Sequence, residues 1–455
     1  MSHKTEFLYL SEQDTIQAGV LDEVKCIDNA EEVFRLLSKG DYLMGGSNHN
    51  SHGLGLVFPK ETPFPNMPVA GPDRRFVAMP AYLGGRFDVC GNKWYGSNAE
   101  NPKKGLPRSV LTVTLNDKDT GEPLAFMSAN LLSAARTGAV PGVAARHLAR
   151  KDSKVVAVLG CGQINRSCLR NILSQLPEAK TIVCYDILEA AAQKFLDWAK
   201  EELKVEGRIT SDVQDALKDA DVVTVAASRL KPLYVKDEWL KEGVTVLITG
   251  PMQTDDSFWM DTKLIYDNIH LHEAYVQEAI ESGDKAAYYS GVIGGPIYTL
   301  IDAGKMPALK DSTSIGDVIE GTKPGRTNDK ERVTFVACGM ATFDVGLALY
   351  YLDNDLAALL RTHDREICPP LSAGSECLCH CGDCPFNFRM HSLIWIRRSG
   401  KIPEYYRSNT YGSNVGIYRH GNFPRRGRKS DTYVSGRKRT CDWRDYSGVF
   451  RICGN

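Results

Sequence analysis

The stretch with the clearest chemical meaning begins at Val155 and reads VVAVLGCGQINRSCL. An apolar strand runs into Gly160-Cys161-Gly162, and a helical pattern opens at Gln163. The first glycine permits a tight turn, and the second lets the backbone approach a pyrophosphate at a helix N-terminus. Asp186 ends the next apolar strand, TIVCYD, 26 residues after Gly160. A carboxylate there accepts hydrogen bonds from an adenosine ribose and repels a 2′-phosphate, so the spacing reads as an NAD site. Where a third glycine normally stands the chain has Asn165. That position governs only how closely helix and strand pack, so Asn165, larger than the residue expected there, weakens the pattern without destroying the phosphate site.

The elements that must hold this turn are legible from about Lys154 to Asn268. VVAVLG, TIVCYD, VVTVAA and TVLITG are short apolar runs separated by helical stretches such as EAAAQKFLDWAKEEL. Continuous apolar strands alternating with helices predict a parallel sheet covered on both faces. The first 130 residues read differently. EEVFRLLSKGDYL is an amphipathic helix, and RFVAMPAYLGG, CGNKWYGSN and SVLTVTLNDKDTGEPLAFMSA are strands joined by turns, a mixed α+β region. A last strand, ERVTFVACG, leads into a helical run, ATFDVGLALYYLDNDLAALL.

Composition bounds the class. At 455 residues, 43% hydrophobic and 24% charged, the chain is an ordinary globular protein with room for more than one domain. No run of about 18 apolar residues predicts a membrane span, and the N-terminus lacks a secretory signal pattern, so a cytoplasmic protein is expected. The net charge of −1 conceals an asymmetry: residues 361–455 carry 17 Lys+Arg against 8 Asp+Glu, leaving 38 against 48 in the rest. Cys26, Cys90, Cys161, Cys168, Cys184 and Cys338 are scattered and read as small buried hydrophobes, whereas seven further cysteines crowd the tail.

LAFMSANLLSAARTGAVPGVAARHLA, MPAYLGG with NKWYGSNAENP upstream, and SIGDVIEGTKPGR with CGMATFD downstream together resemble the ornithine cyclodeaminase/μ-crystallin family, over roughly residues 5–357. The resemblance implies an α/β architecture: a Rossmann-type NAD domain at about 131–324, and an α+β substrate and dimerisation domain built from 1–130 and 325–360. It implies a homodimer paired through the sheets of that second domain, with an amino-acid-type substrate and no metal. Lys93 matches the lysine that contacts the amino-acid head and moves protons. Arg136 matches the arginine that grips the substrate carboxylate, and Arg75, next to Arg74, is the candidate for a second one. The cofactor set extends from Gly160, Gly162 and Asp186 to Gln163, Ile164, Ala227, Thr249, Gly250 and Thr137, with Met252 and Cys338 as pocket candidates. The chemistry suits these types. A planar guanidinium binds a carboxylate in bidentate fashion, and a lysine desolvated beside a second cation loses its proton near neutral pH.

Two departures bear on the reaction. Cyclodeaminases carry an aspartate after the strand that here reads VTVLITG, in a G-G-D motif; this chain has GPMQTDD, with Met252 in its place. The Glu of the family's E-D pair is here Phe343, before Asp344. The wording FVAMPAYLGGRFDVCGNKWYGSNAENP is nearest to family members that oxidise an N-(2-amino-2-carboxyethyl)glutamate. The expected function is therefore NAD-dependent oxidation of an amine-bearing Cα to an imine. The alternatives are ornithine cyclodeaminase and a cofactor-binding protein without turnover. Residues 361–455, with CLCHCGDC and FPRRGRKS, match nothing in the family. The cysteine spacing is too compressed for a convincing zinc site, and neither that reading nor a nucleic-acid arm is adopted. The segment reads as a disordered or out-of-frame extension.

Overall fold

The computed structural model describes residues 5, 7–227 and 232–352; the expected extension at 361–455 lies outside them. Two sheets carry the structure. The first has seven strands: Leu8–Leu10, Pro123–Ser128, Ser109–Asn116, Val89–Ser97, Arg75–Leu83 and Tyr42–Met44 in order, with Leu54–Val57 also paired to Arg75–Leu83. All its pairings are antiparallel except that of Leu8–Leu10 with Pro123–Ser128. Period-two alternation sends Val77, Met79, Val113 and Leu115 into the core, while Phe76 and Trp94 remain partly exposed on the opposite face.

The second sheet has eight strands, all parallel, in the order Glu206–Thr210, Thr181–Tyr185, Val155–Leu159, Val222–Val225, Thr245–Ile248, Val333–Val336, Lys263–Tyr266 and Thr313–Ser314. The order in which strands are added reverses between Val155–Leu159 and Val222–Val225. In open parallel sheets, ligands bind outside the carboxyl ends of the strands at such a switch point. The sequence reading returns the chain to the first domain at 325. The structure differs: Val333–Val336 is a fully buried inner strand of the parallel sheet, because a β-branched and aromatic VTFV run, whose one hydroxyl is paired with Thr262 Oγ1 (2.8 Å), is satisfied only with neighbours on both edges and cover on both faces. The chain leaves that sheet only after this strand, into a helix over 341–352. Among the described residues no helix is long and apolar enough to cross a membrane.

The joint between the two sheets is the helix Asn130–Leu148. Fourteen of its 19 residues are buried, so it is apolar nearly all round, as a core helix must be. Asn130 ties its start to the first sheet, its side chain accepting from the Leu111 amide (3.0 Å) and donating to the Ser109 carbonyl (2.8 Å). Further along, Gly138 and Gly142 press the helix onto Gln163–Gln175, the helix that begins at the glycine turn. A Cβ on Gly138 would stand 2.2 Å from Ser167 Oγ and 2.5 Å from the Ser167 backbone; one on Gly142 would stand 3.0 Å from Asn171 Cβ. The backbones therefore meet where side chains would hold them apart. Gly138→Val is expected to lower stability by about 1–3 kcal/mol or more through overpacking, read as a fall in thermal midpoint, whereas an unchanged midpoint would show that the two helices separate freely.

Candidate active site

The glycine turn sits at the switch point. Gly160 has φ of +92°, and a Cβ there would lie 2.8 Å from Ala227 Cα, so only glycine fits between the ends of two neighbouring strands. Gly162 caps the helix Gln163–Gln175, and nothing lies within 4 Å of where its Cβ would point. Open space beside the free amides of a helix N-terminus is what a pyrophosphate requires, so these residues fit a dinucleotide. Asp186 closes the turn from the side: Oδ2 accepts from the Cys161 amide (2.8 Å) and Oδ1 from the Leu188 amide (3.0 Å).

Asn165, in the third glycine's place, has a structural task of its own. It is fully buried. Its Nδ2 donates to the carbonyls of Leu159 (2.9 Å) and Gly160 (2.6 Å), and its Oδ1 accepts from Thr224 Oγ1 (2.8 Å) on the adjacent strand. The side chain thus satisfies two carbonyls at the strand end that a third glycine would leave to water. What the sequence presents as a defect is a polar staple under the turn.

The remaining cofactor candidates lie along the same strand ends. Gln163 and Ile164 open the helix after the turn, with Ile164 36% exposed. Thr249 Oγ1 donates to the Val225 carbonyl (3.0 Å), and Gly250 approaches Ala226, its Cβ position 3.1 Å from Ala226 Cα. Thr137 Oγ1 donates instead within its own helix, to the Ser133 carbonyl (2.6 Å).

Two of the substrate candidates, Lys93 and Arg136, meet around a residue from a third element, Asp344. Lys93, mid-strand in Val89–Ser97 and 4% exposed, occupies the inner face, paired with Met79 and Val113. Its Nζ donates to Ser133 Oγ (2.9 Å) and lies 3.3 Å from both Asp344 oxygens. Arg136 Nε lies 3.1 Å from Asp344 Oδ2. Asp344, from the 341–352 helix, is wholly buried. Burial, and then the neighbouring Arg136 guanidinium, pull Lys93 down to about 8, and Asp344 limits the fall. The Arg136 guanidinium also packs on the loop after Val333–Val336, its Nη1 3.2 Å from the Cβ position of Gly339, which has φ of +81°. The cluster therefore abuts the carboxyl edge of the parallel sheet.

Arg75 lies on the same sheet face as Lys93, opposite Ser97 and paired with Asp73 at 2.8 Å. Arg74 turns away, bonding the Val69 carbonyl and covering the Phe58 ring. Cys338 donates its amide to Asp267 Oδ2 (2.7 Å), and burial raises its thiol well above the usual range. Met252 is buried in register with Leu233. Asp255 accepts from Tyr234 Oη (2.5 Å) and Asp256 pairs with Lys305 (3.1 Å), both exposed and engaged. The sequence reading gives no role to Ser133, Asp344 or His52. Asp344 lies inside the CGMATFD segment and Ser133 inside the LLSAARTG segment that carry the resemblance, whereas His52 left no signal; Phe343, beside Asp344, packs edge-on against Phe34 (4.8 Å).

Asn165→Gly, which restores the common glycine pattern, is expected to destabilise the protein by about 1–3 kcal/mol because Thr224 and two strand-end carbonyls lose their partner. Equal or greater stability in a denaturant titration would contradict the staple.

The model of the ornithine cyclodeaminase/mu-crystallin family matches residues 22–358. Among curated relatives, N-((2S)-2-amino-2-carboxyethyl)-L-glutamate dehydrogenase of Staphylococcus aureus is 28% identical over 61% of this chain and 77% of its own length. Alanine dehydrogenase of Archaeoglobus fulgidus is 32% identical over 62% and 80%. Among solved structures, an archaeal alanine dehydrogenase dimer with bound NAD shares 28% identity and a TM-score of 0.61 over 78% of this chain and 97% of that one. Thermococcus litoralis Delta(1)-pyrroline-2-carboxylate reductase, in complex with NADH and L-proline, shares the fold at 24% identity and a TM-score of 0.64, over 77% and 98%. With the match running from the first long helix through the helix that carries Asp344, the chain belongs to the ornithine cyclodeaminase/mu-crystallin family.

Proposed function

We propose that this protein is an NAD-dependent oxidoreductase that removes hydride from an amine-bearing Cα of an amino acid or N-carboxyalkyl amino acid, leaving an imine for water to hydrolyse. The observation that carries the reading is the buried Lys93–Asp344–Arg136 cluster against the carboxyl edge of a sheet whose glycine turn fits a dinucleotide. NAD supplies the hydride acceptor. Gly160, Gly162 and the amides opening the helix at Gln163 and Ile164 would cradle its pyrophosphate, and Asp186 its adenosine ribose.

The chain's own groups then divide the work. Arg136, with Arg75 on the same face, binds the substrate carboxylate and so fixes which hydrogen of Cα is presented. Lys93, held at about 8, is partly an amine near neutral pH and takes a proton from the substrate ammonium, which must be neutral before an imine forms. Asp344 keeps both cations in place without reaching solvent. The named activities of the relatives, an alanine dehydrogenase and an aminocarboxyethyl-glutamate dehydrogenase, support oxidation at such a carbon.

Ring closure on a distal amine has less support. A thioether neither accepts a proton usefully nor holds an ammonium, and the nearest carboxylates, Asp255 and Asp256, are engaged at the surface by Tyr234 and Lys305. The exposed outer face of the first sheet, with Phe76 stacked on Trp94 (5.5 Å) and Tyr9 near Phe126 (6.4 Å), supports a homodimer paired through that face. Six unpaired cysteines among the described residues suit a cytoplasmic protein.

Supplied with NAD and a panel of amino acids and N-carboxyalkyl amino acids, the protein is expected to accumulate NADH, and to form no proline from ornithine. Robust proline formation without net NADH would replace this reading with a cyclodeaminase.

A further inference from the structure

Resting on that reading, the geometry points to His52 as the residue that receives the substrate's amine: we infer that His52 Nε2 accepts a hydrogen bond from the α-amino group whose carbon is oxidised. No motif in the sequence draws attention to it. It lies in the loop entering Leu54–Val57, and two segments hold its ring. Nδ1 lies 2.9 Å from the Gly339 carbonyl. Since a carbonyl only accepts, Nδ1 carries the proton, and Nε2 is left with a lone pair. The ring stacks on Tyr275, centroids 6.1 Å apart at 27°. Gly339 is itself fixed, its amide and that of Cys338 donating to Asp267 Oδ2, while Asp267 Oδ1 meets the buried His272 (3.0 Å).

Accounting for donors and acceptors gives His52 its task. Lys93, Arg136 and Arg75 only donate when charged, which serves carboxylates. Asp344 is wholly buried with both oxygens facing the two cations, so although its Oδ1 accepts no hydrogen bond it is taken up by their charge, and Ser133 Oγ already accepts from Lys93. Besides Lys93 in its neutral form, which takes the proton itself, His52 Nε2 is the uncharged acceptor of this group of described side chains, with its ring bonded only through Nδ1. Burial, opposed by the Gly339 carbonyl and reinforced by Lys93, Arg136 and Arg75, holds the imidazole at about 4, so it is neutral wherever the enzyme works. A neutral acceptor aligns an amine without competing for the carboxylates that the cations need.

The test uses pairs of acids with and without the amine, L-glutamate against glutarate and L-alanine against propionate, titrated calorimetrically into the NADH-loaded protein, its His52→Leu variant and its His52→Gln variant. The amino acid of at least one pair is expected to bind the unaltered protein at least ~10-fold tighter than its partner, about 1.4 kcal/mol. That ratio should fall to near one in His52→Leu and be partly restored in His52→Gln, whose amide oxygen also accepts. Affinities for NADH and for the amine-free acids should not change. A ratio near one in the unaltered protein, a ratio unchanged in His52→Leu, or an equal loss for both acids would overturn the inference, the last by showing a structural role. A protein that keeps the His52-dependent ratio but makes no NADH from any amine would retire the dehydrogenase reading while leaving His52 as the amine's acceptor.

Discussion

Two cations share one carboxylate in a place closed to water. Lys93 and Arg136 both lean on Asp344, and all three are buried. Like charges this close repel unless an anion separates them, and removing one member of such a buried set typically costs about 3–5 kcal/mol. The fold is arranged around that requirement. Lys93 comes from a strand of the first sheet, Arg136 and Ser133 from the helix joining the two sheets, and Asp344 from the helix that follows the last described strand of the second. Neither sheet alone brings the three together. The close approach of the joining helix to its neighbour at Gly138, and the Gly339 turn that receives the Arg136 guanidinium, hold the cluster at the carboxyl edge of the parallel sheet.

The same arrangement explains why these groups suit amino-acid chemistry. A carboxylate needs cations, an ammonium needs to lose a proton, and an amine needs an acceptor. Arginine, a desolvated lysine and a neutral histidine divide those tasks without one group serving two. The loop after Val333–Val336 couples them. Its Gly339 touches Arg136 on one side and His52 on the other, and Asp267 anchors it through two backbone amides.

Much of this was legible from residue types. The parallel sheet followed from apolar runs with no polar alternation, and the glycine turn from its place between strand and helix. Lys93, Arg136 and Arg75 came into view through family resemblance, since a lysine on a strand or an arginine on a helix has no local signature of function. Long-range geometry was the part that stayed hidden. Asn165 looks like a flaw until its three hydrogen bonds to the strand ends are seen. Val333–Val336 reads as a return to the first sheet because nothing local names which strands will flank it. Asp344 and His52 are separated by nearly 300 residues, and only the folded chain places both beside Lys93 and Arg136.

The account depends on Asp344 setting the proton affinity of Lys93, and the pH profile of kcat/KM for Asp344→Asn tests this most directly. In the unaltered enzyme, Lys93 must be deprotonated to take the substrate's proton, so kcat/KM should rise with pH through about 8. The amide keeps the shape but removes the anion that supports the ammonium form, so the rise should move to lower pH. A rise that stays where it was would contradict the account and place the titrating group elsewhere.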